Sequence, residues 1–285
     1  MSDAVQPKGA YGLEVSGLPH ADLLVPVREA GWPRVSVRVQ DRSAREDALT
    51  EVGNERATLN LDGELVILRR RERSAVFATI ERSDPGRLIH PLLTATGTVF
   101  AWWHGHEALH GGAFVGERGA WGLLGDRGAG KSSLLAALAG AGHAVLTDDL
   151  LVVADGVALA GPRCVDLRSD MIGPAGVAGR TMPVRGDERE RLVLGPVSAE
   201  VPLQGWILLC WGPGTGVRSL DAGERLTRLS AQRNVQGLRA GQFLDLVRLP
   251  AWELTRARDR ASLEVAVEMA LDVSTRAGQP GSLQQ

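Results

Sequence analysis

The chain has 285 residues, 44% hydrophobic and 23% charged, with a formal net charge of −2. That composition is globular, long enough for one large domain or two modest ones. The near-neutral balance offers no field for nucleic acid, and two distant cysteines, Cys164 and Cys210, cannot build a disulfide framework.

A reducing cytoplasm is the expected setting. The N-terminus is acidic and contains Gly and Pro, unlike a secretory signal. The uncharged stretch 201–217 is broken by Pro202, Gly205, Gly212, Pro213, Gly214 and Gly216, so it is not expected to span a membrane.

Residues 1–95 read as a smaller β-rich domain. Val35-Ser-Val-Arg-Val alternates at period two, and 57–61 and 64–68 flank Asp62-Gly63, a two-residue hairpin signal. A further strand is expected from Ser74. The run Arg69-Arg70-Arg71-Glu72-Arg73 lies between strands and contains an acid, so it reads as a solvated turn. Nothing in this part resembles a catalytic motif, which leaves it substrate selection or assembly.

Residues 96–285 form the second expected domain. Strand-like runs recur at 112–115, 121–124, 144–146, 150–153, 157–160 and 206–211, with Asp155-Gly156 as a second hairpin signal. Asp221-Ala-Gly-Glu224 reads as a capping box, and a last helix is expected over 259–273, with Leu263, Val267 and Leu271 on one face. Few long helices alternate with these strands. The pattern argues against a doubly wound parallel sheet and predicts an α/β (α+β) fold whose hairpin-rich sheet carries a phosphate loop.

That loop is Gly125-Asp126-Arg127-Gly128-Ala129-Gly130-Lys131-Ser132, a complete G-x-x-x-x-G-K-[ST] pattern. An apolar strand precedes it and the helix former Ser132-Ser133-Leu-Leu-Ala-Ala-Leu-Ala follows. Lys131 is one of only two lysines among the 32 Lys and Arg residues. Its compact ammonium suits β- and γ-phosphates, the glycines turn backbone N–H groups inward, and Ser132 supplies a hydroxyl for Mg²⁺. A nucleoside triphosphate, ATP or GTP, is the expected ligand.

A phosphate loop needs an acid at a neighbouring strand end. Ala144-Val-Leu-Thr-Asp148-Asp149 is an apolar strand ending in two aspartates. Adjacent side chains at a strand end point to opposite sides, so one carboxylate can serve the metal and the other an incoming hydroxyl. His104, His106 and His110 form H-x-H-x-x-x-H, which can be read as a zinc site with Glu107. The stronger reading places His110 beside the phosphates, because its strand hairpins directly into the loop.

Leu109-His110-Gly111, the hairpin, the loop, Gly142-His143 and Asp148-Asp149 resemble, in order and spacing, the catalytic domain of HPr kinase/phosphorylase. The resemblance implies a phosphoenolpyruvate-carboxykinase-like P-loop fold, with the loop on a mixed, largely antiparallel sheet, and Mg²⁺-dependent transfer to a serine. It implies Asp148 as the base, Asp149 as a metal ligand with Ser132, and His110 as a partner of the phosphates. His90-Pro91 and the 162–168 stretch also resemble stand-alone homologues that phosphorylate serines of ribosomal precursor peptides. The Glu-x-Arg-Gly segment of the bifunctional enzyme is not found after Asp149, which implies a kinase direction only.

Arg163, Arg168, Arg180, Arg185, Arg189 and Arg191 could stabilise transferred charge, and Arg168 and Arg180 are the two chosen. The expected partner is a peptide or protein with a Ser/Thr hydroxyl, and homo-oligomer formation is left open. A small-molecule kinase and a slowly hydrolysing regulatory component are the alternatives.

Overall fold

The computed structural model describes residues 6–19, 21–27, 30–41, 49–80, 85–171, 181–184, 188–234 and 240–276. Eight strands come first: β1 (Lys8–Ala10), β2 (Leu13–Ser16), β3 (Val25–Pro26), β4 (Arg34–Asp41), β5 (Glu51–Val52), β6 (Arg56–Leu61), β7 (Glu64–Arg69) and β8 (Ser74–Thr79). They form one mixed sheet in the order β3-β1-β2-β4-β8-β7-β6-β5. The β6–β7 hairpin turns on Asp62 at φ 55° and Gly63 at φ 88°, the doubly positive pair that a two-residue turn requires.

A single turn, α1 (Pro85–Arg87), leads through Leu88–Leu93, kinked at His90 (φ −140°, ψ 122°), into α2 (Thr94–His104). Its Thr, Gly, Val and Trp content is poor in helix propensity, and it buries Thr94, Thr96, Gly97, Val99, Phe100, Ala101 and Trp103. Tertiary burial stabilises this helix, so period and propensity alone do not reveal it.

The second sheet begins with β9 (Glu107–Gly116) and β10 (Gly119–Leu124), followed by α3 (Lys131–Gly140). It continues through β11 (Val145–Thr147), β12 (Leu150–Ala154) and β13 (Val157–Leu159). Next come β14 (Cys164–Arg168), β15 (Thr181–Pro183) and β16 (Arg189–Val193), which form a separate three-stranded sheet in the order β14-β16-β15. Then come β17 (Glu200–Trp211), β18 (Gly216–Ser219), α4 (Ala222–Ala231), α5 (Ala240–Arg248), β19 (Ala251–Arg256) and α6 (Ala261–Arg276). The expected capping box closes reciprocally between Asp221 and Glu224 at the start of α4.

The order is β10-β9-β12-β13-β17-β19-β18, with β11 also on β9 and β10 also on β17. β10–β17 and β17–β19 are parallel, while the β9 pairings, β12–β13, β13–β17 and β18–β19 are antiparallel. The chain is thus a mixed α/β protein with large mixed sheets.

Successive residues of the central strands face opposite cores, as the period of two demands. Phe114, Leu123, Ile207 and Leu209 pack under α3 and α6 with Leu134, Leu138 and Leu263. Ala113, Leu124, Trp206 and Leu208 face the other way, into a cluster that also holds Phe100, Val35 and Phe77. The first sheet and the loop-bearing sheet therefore share one core across the 95/96 boundary, which falls inside α2.

Tyr11 N–H donates to the Ala160 carbonyl at 2.7 Å and Trp32 Nε1 to Glu200 Oε1 at 2.7 Å, tying the first sheet to the second. Removing residues 1–95 would expose this face. We expect the truncated chain to lose cooperative unfolding in a thermal circular-dichroism melt; a sharp transition near that of the full chain would contradict the shared core.

Candidate active site

The buried strand β10 delivers the chain into the phosphate loop, and α3 starts at Lys131 after Gly130 at φ 89°. First-turn amides of a helix lack intrahelical acceptors, so the N-terminus of α3 presents free N–H donors of the kind an anion can accept from. Lys131 is buried, and its Nζ donates to the carbonyls of Gly125 at 2.6 Å and Asp126 at 3.1 Å. It also lies 3.2 Å from His110 Nε2. An ammonium only donates, so Nε2 is the acceptor and the His110 proton sits on Nδ1, facing Asp149 Oδ1 at 3.7 Å. Burial, and then the Lys131 charge, lowers the His110 pKa, so the imidazole is neutral near pH 7. Burial lowers the Lys131 pKa as well.

The aspartates follow β11. Ser132 Oγ donates to Asp148 Oδ1 at 3.2 Å. Burial pushes the Asp148 carboxyl up to about 7, and the neighbouring Asp149 adds to the rise. Asp149 takes the left-handed conformation at φ 66°, with His90 Nδ1 3.6 Å from its Oδ2. His90 Nδ1 lies 3.2 Å from Thr94 Oγ1, and that hydroxyl is 3.3 Å from the Tyr11 hydroxyl. Tyr11, held neutral by a pKa that burial raises, brings the first sheet to the edge of this group. One cleft is lined by Tyr11, His90, Thr94, Ser132, Asp148, Asp149, Asp166 and Arg189.

The raised Asp148 pKa has a stability consequence. A carboxyl whose folded pKa lies above its unfolded value stabilises the fold fully at low pH, and that contribution is lost as pH rises toward 7. From 3.8 to about 7 the difference corresponds to about 4 kcal/mol at most. Without divalent cations, Asp148→Asn should therefore melt higher than wild type at pH 8 and close to it at pH 4. Equal melting temperatures at both would show that Asp148 is not held protonated.

The loop's Asp126, Arg127 and Gly128 are exposed, Ala129 is buried, and Ser133 is half-buried on the first turn of α3. Arg168 ends β14 in an exposed pair with Asp170 at 3.5 Å and does not line the cleft. Arg180 and Arg185 lie outside the described residues. Arg163 is buried on the carbonyls of Val145, Leu146 and Gly195. Arg191 is buried in a two-pronged pair with Asp166, 2.6 Å on each oxygen. These last two brace the walls.

His104 and His106 pack ring against ring, with centroids 5.8 Å apart, while His110 turns to Lys131. Among the described residues no group of three or more His, Cys, Asp or Glu side chains is placed to hold a metal. No helix among them is long and apolar enough to cross a membrane.

Sequence reading missed several residues at the site. Tyr11 and Thr94 carry no local motif. Gln232 Nε2 reaches Asp126 Oδ1 at 3.5 Å, and its carbonyl accepts from His110 N–H at 2.7 Å. Trp211 Nε1 donates to the Gly128 carbonyl at 2.9 Å, and the Arg256 guanidinium lies over its ring at 4.2 Å. The segment that becomes β19, Ala251–Arg256, mixes apolar with polar residues and carries no local signal for that flank.

No protein-family model matches the chain, and no curated protein matches it in sequence. Among solved structures it is similar to the Hpr(Ser) kinase/phosphatase from Coxiella burnetii, at 12% identity and a TM-score of 0.30. The match covers 59% of this chain and 97% of that one. A likeness that loose transfers neither fold nor activity.

Proposed function

We propose that the chain is a Mg²⁺- and ATP-dependent kinase that transfers the γ-phosphoryl group to a Ser/Thr hydroxyl of a peptide or protein. The observation that carries this reading is convergence: Lys131 and Ser132 of the phosphate loop, both aspartates and His110 gather at the start of α3, through the Lys131–His110 and Ser132–Asp148 hydrogen bonds and the 3.7 Å approach of His110 to Asp149. In this reading the second sheet is a phosphoenolpyruvate-carboxykinase-like P-loop domain working in the cytoplasm, and GTP is the alternative donor. A ribosomal precursor peptide is the acceptor class that the motif resemblance suggests.

The donors at the loop fit Mg²⁺, a hard ion that takes hydroxyl and carboxylate oxygens. Ser132 and Asp148 would hold it, because their oxygens already meet at 3.2 Å. Bound there, it would neutralise charge on the phosphate oxygens.

That contact favours a reversal of the roles expected from the motif resemblance. Asp149, whose side chain is 42% exposed and lies between His90 and His110, is the carboxylate an incoming hydroxyl can reach. It would take the acceptor's proton as the new O–P bond forms and the bond to the ADP oxygen breaks, while Lys131 meets the phosphate charge.

Incubation with γ-labelled ATP, Mg²⁺ and serine- or threonine-containing peptides tests the reading. Label should appear on phosphoserine or phosphothreonine. Label on small hydroxyl compounds alone would favour a small-molecule kinase, and slow release of inorganic phosphate with every acceptor would favour a hydrolytic regulator.

A further inference from the structure

The flank of the phosphate loop opposite Lys131 holds a second cation. The sheet order across the loop is β9-β10-β17-β19, so His110 and Lys131 approach from the β9 side. Parallel pairing of β17 with β19 sets Trp211 beside Arg256 on the other side. The Trp211 indole is fastened to the loop through Gly128, and the Arg256 guanidinium carbon lies 4.2 Å from the centre of its ring. A Cβ on Gly130 would collide with that guanidinium and touch the Trp211 ring. Glycine at this position is what lets Arg256 reach the phosphate loop.

Arg256 is 3% exposed, yet its Nε has no hydrogen-bond partner, and no carboxylate among the described residues lies within ion-pairing distance. The acid whose charge bears on it is Asp259, whose Oδ1 is already engaged by Ser262 N–H at the start of α6. A buried cation without an anion is costly to the fold. Arg163 and Arg191, equally buried, are satisfied by carbonyls and a carboxylate. The stacking on Trp211 offsets only part of the cost. What remains missing at Arg256 is a negatively charged, oxygen-rich partner at the rim of a phosphate loop.

We propose that Arg256, aligned by Trp211, contacts the phosphate chain of the bound nucleotide from the β19 side, completing with Lys131 a two-sided clamp. This rests on the nucleotide-binding reading above and adds a residue to it. A planar guanidinium can present two parallel N–H donors to phosphate oxygens, whereas Lys131 provides a point charge. The guanidinium's contribution should therefore grow with the number of phosphates.

The test is calorimetric titration of wild type, Arg256→Gln, Arg256→Lys and Trp211→Phe with ATP, AMP and inorganic tripolyphosphate, together with melting temperatures without ligand. Arg256→Gln should bind ATP and tripolyphosphate about tenfold or more weakly, as expected for a lost charged hydrogen bond, and AMP nearly unchanged. Its ligand-free melting temperature should hold or rise, because an uncompensated buried charge has gone. Arg256→Lys should fall between, and Trp211→Phe should show a smaller loss of the same kind.

Undiminished ATP and tripolyphosphate affinity in Arg256→Gln would overturn the clamp while leaving the nucleotide site standing. So would a lowered ligand-free melting temperature with equal losses for all three ligands, which marks a structural arginine. Failure of wild type itself to bind ATP or tripolyphosphate would instead overturn the nucleotide-binding reading.

Discussion

Lys131→Met should lower phosphoryl transfer by at least about a hundredfold, the cost of removing a positioned charge from a transferring phosphoryl group. The side chain is buried and lies against two loop carbonyls and an imidazole, so the ammonium is held by polar partners rather than by packing. Methionine occupies a similar volume without the charge. The substitution removes a desolvated cation, a gain that offsets the loss of the donor to the buried Gly125 carbonyl and to that of Asp126. The melting temperature should therefore move by only a few degrees, a shift of about 1 kcal/mol in a chain of this size. Transfer assays with γ-labelled ATP give the first quantity and thermal melts the second. Activity above about a tenth of wild type would remove Lys131 from the phosphate clamp.

Asp149→Asn should reduce turnover by about a hundredfold or more while nucleotide affinity stays near wild type, because a base acts mainly in the transition state. The side chain sits between His90 and His110 and opens on the cleft. Asparagine keeps its shape but cannot take the hydroxyl proton. Asp148→Asn should instead weaken Mg-nucleotide binding, since Asp148 shares a hydrogen bond with Ser132. Titration with Mg²⁺ and a non-hydrolysable ATP analogue, alongside steady-state kinetics, separates the two. The opposite pattern would restore Asp148 as the base. In wild type, Mg²⁺ affinity should also rise between pH 6 and 8, because a carboxyl with a pKa of about 7 must lose its proton to bind a metal.

Local chemistry was legible in the sequence wherever a few neighbouring residues decide the outcome. The phosphate loop, the two Asp-Gly hairpins, the capping box at Asp221 and the strands of the central sheet are of this kind, since their signals are backbone freedom, a reciprocal cap or a period of two. The aspartate doublet and His110 were expected beside the loop from the same kind of local reading, and that is where they lie.

Pairings between distant segments were decided only by the tertiary structure. Helix α2 forms from residues of weak helix propensity because both sheets bury it. Tyr11 and Thr94 reach the Asp149 group from beyond any motif, and Arg256 reaches Gly130 only because β19 pairs with β17 in one particular register. The two aspartates, equivalent in the sequence, are distinguished by which one meets Ser132 and which one the imidazoles flank. Spacing along a chain specifies which groups can turn toward a ligand, but their partners are set by packing of elements that lie far apart in the sequence.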